Sequence, residues 1–530
     1  MPNVKNREST GRHAFLVAAG ILISRLAGLV RQRVFNGYFG LTDTADAFAS
    51  ALRVPNFLQN LFGEGVLSAS FIPVYARLLA QGDDEEADRV AGAVGAILAM
   101  TSSVIVLLGV AATPYLMWAI APGFDGDKLE LTILLVRILF PGAGILVCSA
   151  WCLGILNSHR KFFVSYTAPV LWNLAMIATM VAFRHSALRD LAVALAWGTG
   201  LGCVLQFAVQ VPLVLRLTRN LRLRPETHSP HVREVLKNFL PVAVSRGVVQ
   251  ISAFVDQALA SLVSKVAHNA AVAAMGNAQS IYMLPVSLFG MAVSAAELPA
   301  MSGTLGTDAE VQAVLRRRLN AGLRQIAFLI VPSAMAFFAF GDVITAALFQ
   351  HGKFTHADSV YVWKIIAGSG IGLLASTLGR LYASTYYALR DTRPPLRYAT
   401  LRVLLTVSMG YLCALPLPRW LGIDPQWGAA GLTASAGVAG WVEFTLLRRT
   451  LNARIGATGV PAPLIAKLWG SAAVGAAAAW GVKSAIGGAH PITAAVFILV
   501  PYGLIYFGVT YLLRVEECGA LFERLARLRR

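Results

Sequence analysis

Fourteen apolar runs, each longer than 20 residues, alternate with short polar segments along this chain. That rhythm leaves few folds open. A helix crosses a bilayer with about 20 mostly apolar residues, and only a helix or a closed barrel satisfies its own backbone polar groups in lipid. The runs fall roughly at 14–38, 45–75, 90–120, 130–157, 163–183, 188–217, 236–264, 270–301, 322–348, 360–388, 395–417, 427–449, 465–487 and 492–513. The expected fold class is all-α, a polytopic membrane protein with about 14 transmembrane helices. Charged residues make up only 14% of the chain, against roughly 25% in soluble proteins.

The net charge of +18 invites a nucleic-acid reading, but the cations lie in the wrong places for it. They cluster in alternate loops: Arg160 and Lys161, Arg216 to Lys237, Arg316 to Arg324, Arg390 to Arg397, Arg448 to Arg454, and Arg514 to Arg530. The intervening loops carry little, for instance Lys128 among Asp125, Asp127 and Glu130. This is the positive-inside pattern of a membrane protein, with both termini cytoplasmic and no nucleic-acid partner. Met1 to His13 is polar and basic and does not read as a signal peptide. Five cysteines form no CxxC pair and nine histidines do not cluster, so neither a disulfide framework nor a metal site is expected.

One run is unusually polar. Ala45 to Tyr75 carries Asp46, Arg53, Asn56, Gln59, Asn60 and Glu64. Asp46, Arg53 and Asn60 stand seven residues apart and share a helix face. Pro55 lies in that face and should bend the helix. A charge facing lipid costs on the order of 2.5–3.5 kcal/mol on insertion scales, so the stripe must face protein or water. Two uses fit: a structural ion pair, Asp46 with Arg53 or Glu64 with an arginine elsewhere, or a polar path through the membrane.

The chain repeats itself. Pro55, Phe62-Gly63 and Pro73 are echoed by Pro285, Phe289-Gly290 and Pro299, and Arg160 by Arg390, at offsets of 226 to 230 residues. Such a shift spans six runs, an even number, so the halves keep one topology and read as parallel repeats around a central site. The organisation expected is an N-lobe over 1–220, a C-lobe over 221–455, and two final helices with a basic tail over 456–530.

The polar residues inside the runs differ between the halves. Arg25 and Arg31 flank Gly28 in the first run, and Arg53 adds a third cation. The second half offers Arg246, Asp256, Lys265, Glu297, Arg380 and Arg402. Asp256 is ten residues from Arg246, about 15 Å along a straight helix, so a contact between them needs a break or a water chain. Arginines lining a cavity suit a phosphate, because the guanidinium donates paired hydrogen bonds to its oxygens. Asp46, Glu64, Asp256 and Glu297 are the candidates for ion coupling, with Glu443 a weaker one. No P-loop, HExxH or dinucleotide fingerprint supports an enzyme, and no cofactor is implied.

SRLAGLVR at Ser24–Arg31, TADAFASALRVPNFLQNLFGEGVLSASFIPVYA, APGF at Ala121–Phe124, GILNSHRKFFVSYTAP, LFQHGKFTHADS and YYALRDTRPP together resemble the MurJ (MviN) lipid II flippases of the multidrug/oligosaccharidyl-lipid/polysaccharide exporter superfamily. The resemblance runs from about Ser24 to Pro395. It implies two six-helix lobes around a V-shaped cavity, and two C-terminal helices forming a lipid groove. The implied cargo is undecaprenyl-diphosphate-linked disaccharide-pentapeptide, moved to the outer leaflet of the bacterial inner membrane by alternating access. Arg25 and Arg31 match the family's cavity arginines, Asp46 its acid in the second helix, Glu64 the acid of its EG motif, and Arg380 a basic position of the tenth helix. Three positions depart: Gln32 stands for an acid, Gln59 for a base, and Ser280 for a cavity arginine. Arg246 is the expected substitute for that arginine.

Lipid II or a related polyprenyl-diphosphate glycolipid, membrane lipids and other cell-wall synthesis proteins are the partners implied. The coupling ion, Na+ or H+, is left open. A flippase for another polyprenyl-diphosphate glycan, a cation-coupled exporter and a lipid II-binding scaffold that does not transport are the other readings.

Overall fold

The computed structural model describes residues 4–294, 297, 301, 308–389, 391–486, 488–520 and 523; for 4–19, 21, 64, 245, 248, 249, 251 and 308 it describes the backbone alone. The regular structure is α-helical: α1 Val4–Phe39, α2 Asp43–Phe62, α3 Glu64–Ser70, α4 Ile72–Gln81, α5 Asp84–Ile120, α6 Gly126–Ser158, α7 Phe162–Ala182, α8 Leu188–Ala208, α9 Val211–Leu217, α10 Pro230–Ala267 and α11 Ala271–Pro285. A π-helical turn, Val286–Met291, follows. Then come α12 Asp308–Phe349, α13 His356–Ala388, α14 Arg393–Ala414, α15 Pro416–Trp420, α16 Trp427–Ile455, α17 Ala462–Ala485 and α18 Pro491–Leu512. Among the described residues, ten helical segments are long and apolar enough to cross a membrane. That establishes the expected all-α, polytopic membrane class. Among the described residues, α11 at 15 residues is too short to be among the ten.

The run expected as one helix over 45–75 is three. Pro55 sits within α2 without ending it. The breaks come instead at Gly63 and Phe71, and Pro73 starts α4, where its missing N–H would be unpaired anyway. The second-half echo is also irregular: α11 ends at Pro285 and the turn containing Phe289-Gly290 is π-helical. Each half thus interrupts a helix at its Phe-Gly pair. Pro299 and Arg390, the other landmarks there, lie outside the described residues.

Contacts divide the chain into two compact units, one running to Ser261 and including His351–Lys353, the other comprising Leu262–Gln350 and the chain from Phe354 on. In the first, α6 packs against α2, α5 and α8, and α7 against α1 and α8. Its core gathers Leu67, Phe71 and Tyr75 with Val90, Val94, Trp151 and Ile155. Trp151 donates its indole N–H to the Ala91 carbonyl at 3.0 Å, as a buried indole must find an acceptor. Ser149 receives the side-chain amides of Gln206 (3.2 Å) and Gln210 (2.6 Å), tying α8 to α6. The charged ends are laced too: Arg89 pairs with Glu226 and Arg77 with Glu234.

In the second unit α13 packs on α12 and α16, and α17 and α18 lie against α12. Proline chemistry explains how α18 docks. Pro332 has no N–H, so the Phe328 carbonyl one turn earlier loses its helical donor, and the Tyr506 hydroxyl donates to it at 2.6 Å. Tyr502 donates to the Pro332 carbonyl at 2.6 Å. Farther along, Phe340 leaves helical geometry (φ −135°, ψ 18°), and the Trp363 indole N–H bridges the Phe337 and Phe338 carbonyls at 3.1 Å each. At a loop edge Arg454 donates to Asp391 at 2.6 Å, holding that carboxyl below the usual carboxylate range.

Candidate functional site

The first helix carries its two arginines differently. Gly28 faces Asn173 of α7, where an added Cβ would stand 3.9 Å from Asn173 Oδ1, so the small residue lets α1 approach α7 closely. Arg25, one turn before it, is exposed; Arg31, one turn after, is half-buried. The Arg31 guanidinium reaches Met176 Sδ at 3.7 Å and Gln32 Oε1 at 3.5 Å, and lies 5.0 Å from the Trp172 ring centre. Among the described residues, all of its partners are neutral. A thioether, an amide and an aromatic face hold a guanidinium without neutralising it.

The polar stripe of α2 divides. Asp46, wholly buried, takes Lys128 at 2.8 Å, and Lys128 also reaches Asp43 at 2.7 Å and sits over the Phe124 ring at 4.4 Å. The expected Asp46–Arg53 pair is therefore not what forms: Arg53 lies two turns further on and donates to the Ala253 carbonyl of α10 at 3.2 Å and to Gln257 Oε1 at 3.5 Å. Asn56 and Gln59 are half-buried and Asn60 is exposed. Glu64 opens α3, and its side chain lies outside the description.

Contacts between α2 and α10 run in opposite chain directions, Arg53 with Ala253 and Gln257, Phe57 with Phe254 (5.1 Å) and Phe62 with Phe239 (5.7 Å), and Gly65 of α3 meets Arg246. A Cβ on Gly65 would overlap the Arg246 guanidinium, so this cation lies directly on the glycine of the Glu64-Gly65 motif. Among the described residues Arg246 has no ion-pair partner.

In the second unit Ser280 is exposed on α11 and its hydroxyl donates back to the Gly276 carbonyl at 2.9 Å. Arg380 is exposed on α13 and carries no ion pair among the described residues. Two further candidates neutralise each other: Arg402 donates to Glu443 at 3.0 Å. Glu297 takes Arg318 at 3.4 Å. Arg53, Asp256, Arg246 and the Glu64-Gly65 motif are thus brought together along α10, and Arg31 stands at α7.

Sequence reasoning missed Lys128, Trp172, Met176 and Gln257. Lys128 had a signal, as a lone cation in an acidic loop. The others are uncharged and had none. Among the described residues no cluster of His, Cys, Asp and Glu could hold a metal ion.

The family model described as Lipid II flippase MurJ matches residues 35–501. The lipid II flippase MurJ of Burkholderia cenocepacia is 31% identical over 83% of this chain and 84% of its own length. A probable lipid II flippase MurJ from Rhizobium tropici is 30% identical over 83% of this chain and 80% of its own. The fold is similar to a solved lipid II flippase MurJ in an inward closed conformation, with TM-score 0.75, 21% identity, and 94% and 98% of the two chains covered. It is also similar to an inward-facing multidrug resistance transporter of the MATE family, with TM-score 0.64, 20% identity, and 83% and 98% covered. A family model spanning most of the chain and relatives of this identity over four-fifths of it lead to one conclusion: the protein belongs to the MurJ family of lipid II flippases.

Proposed function

We propose that this chain moves lipid II, whose head group hangs from a polyprenyl diphosphate, from the cytoplasmic to the outer leaflet by alternating access. The observation that carries the reading is Arg31, a half-buried guanidinium whose described partners are all neutral. A cation kept inside a membrane protein is costly unless it has work to do, and one without a carboxylate is free to exchange soft contacts for an anion. A diphosphate offers oxygens for paired, charge-assisted hydrogen bonds, each worth roughly 1.5–3 kcal/mol.

In this proposal Arg25, Arg31 and Arg53 receive the diphosphate from α1 and α2. Arg246 supplies the cation that the resemblance would place at Ser280. Arg380 is assigned to the substrate by the resemblance alone. Asp256, Asn56, Gln59 and Asn60 tune the polar path. Asp46, fixed by Lys128, holds the start of α2. The lobes of the proposal span 1–220 and 221–455, with 456–530 as the lipid-facing addition. The alternation of basic loops supports cytoplasmic termini for this inner-membrane protein of a bacterium.

The test is replacement of an essential flippase. A host depleted of its own lipid II flippase should regain growth when this chain is expressed, and Arg31→Ala should fail to restore it at equal membrane abundance. Growth that does not return with the unaltered chain would overturn the reading.

A further inference from the structure

At the opposite end of the second unit from the arginine-rich loops, small residues on facing helices open a cavity of about 380 Å³. Gly368 of α13 abuts the Ala430 carbonyl of α16, and Gly431 abuts the Cys413 carbonyl of α14. The backbones therefore touch while the wall between them, finished by Ala367 and Ala434, carries almost no side chain. The Thr433 hydroxyl donates to the Ile365 carbonyl at 2.9 Å and pins α16 to α13 beside it. Phe338, Ile371, Ile423 and Trp427 complete an apolar lining in which Lys364 is the one charged residue.

Lys364 is half-buried, its ammonium 4.8 Å from the Trp427 ring centre. Among the described residues it has no carboxylate partner. The nearest acid in the bordering loop, Asp424, spends one carboxylate oxygen on the Gln426 backbone N–H at 2.9 Å. Around the mouth Trp420 (74%), Leu421 (62%), Ile423 (43%) and Trp427 (44%) are exposed. Exposed tryptophans beside exposed aliphatics mark the level where a bilayer meets water.

We propose that this cavity is a site for an anionic phospholipid, its phosphate on Lys364 and the start of one acyl chain in the apolar cavity. The charge argues for the anion, since an ammonium held over an aromatic face keeps its N–H donors for an acceptor. The apolar lining argues for a chain attached to it rather than a free ion. The site lies within the second unit and shares no residue with the arginines of α1 and α2.

The test uses the full chain purified in detergent, with native mass spectrometry reading retained phosphatidylglycerol and phosphatidylcholine of matched chains. The unaltered protein should retain phosphatidylglycerol preferentially. Lys364→Gln should weaken that binding about tenfold and leave phosphatidylcholine unchanged, while Lys364→Arg keeps it. Ala434→Phe, which fills the cavity, should lower phosphatidylglycerol retention with the lysine intact. Equal retention of the two lipids by the unaltered protein would overturn the site, reducing it to ordinary lipid contact. Displacement of phosphatidylglycerol by millimolar inorganic phosphate would overturn the chain's part in it. Selectivity in the unaltered protein decides the matter even where a variant does not fold.

Discussion

The Lys128 ammonium stands 2.8 Å from the wholly buried carboxylate of Asp46, and so a loop residue fixes the start of α2. Removing the cation of a buried ion pair takes the paired charge from the carboxylate, at about 3–5 kcal/mol. Lys128→Met should therefore lower the melting temperature in detergent clearly. Adding Asp46→Asn to it should recover part of the loss, because the buried charge is then removed as well. Lys128→Met melting with the unaltered protein would remove this pair from the account.

Gly65 offers a way to move Arg246 without removing its charge. Because a methyl there overlaps the guanidinium, Gly65→Ala should push the flexible end of Arg246 aside at little cost in stability. Transport should fall in Gly65→Ala and equally in Arg246→Ala, with the melting temperature of Gly65→Ala nearly unchanged. Full transport by Gly65→Ala would mean that the position of Arg246 over the motif does not matter.

A pH effect follows from Asp391. Arg454 holds its carboxyl below the usual range, first by the hydrogen bond and then by charge. A depressed carboxyl stabilises the folded state above its unfolded value, about pH 4, and loses that contribution as pH falls through the folded value. The difference in melting temperature between the unaltered protein and Asp391→Asn should thus be largest near neutral pH and close below roughly pH 4. The pair is exposed, so the difference should be small throughout. A difference that grows with acid would contradict the assignment.

The proposed topology is checked with single cysteines at Ser158 and Leu389 in a background lacking the five natural ones. Both positions should resist an impermeant thiol reagent in intact cells. Labelling of one alone would break both the parallel repeat and the placement of the basic loops.

How far the sequence could be read depends on whether a contact carries its own signature. Ten of the fourteen expected spans recur as helices long and apolar enough to cross a membrane, legible because hydropathy dictates them, and the anomaly of α2 was legible because charges in an apolar run are conspicuous. Its division was not: nothing in Phe62-Gly63 or Phe71 says that the helix stops there rather than at Pro55. A stop there rests on packing, for Phe71 is buried with Tyr75 and Trp151 in the core. Partners across long separations failed for the same reason. Asp46 has several cations within reach on paper, and only the fold selects Lys128 over Arg53. Trp172 and Met176 look like any apolar residues of a membrane helix until α1 and α7 meet at Gly28 and set them beneath Arg31.

Everything proposed about cargo converges on that guanidinium. The most direct measurement is the amount of lipid II that an enzyme added outside spheroplasts can cleave, in a host depleted of its own flippase. With this chain expressed, externally cleavable lipid II should return; with Arg31→Ala at equal membrane abundance it should stay at the depleted level, and Arg31→Lys should restore it in part, since the charge returns without the paired donors. Full restoration by Arg31→Ala would contradict the account.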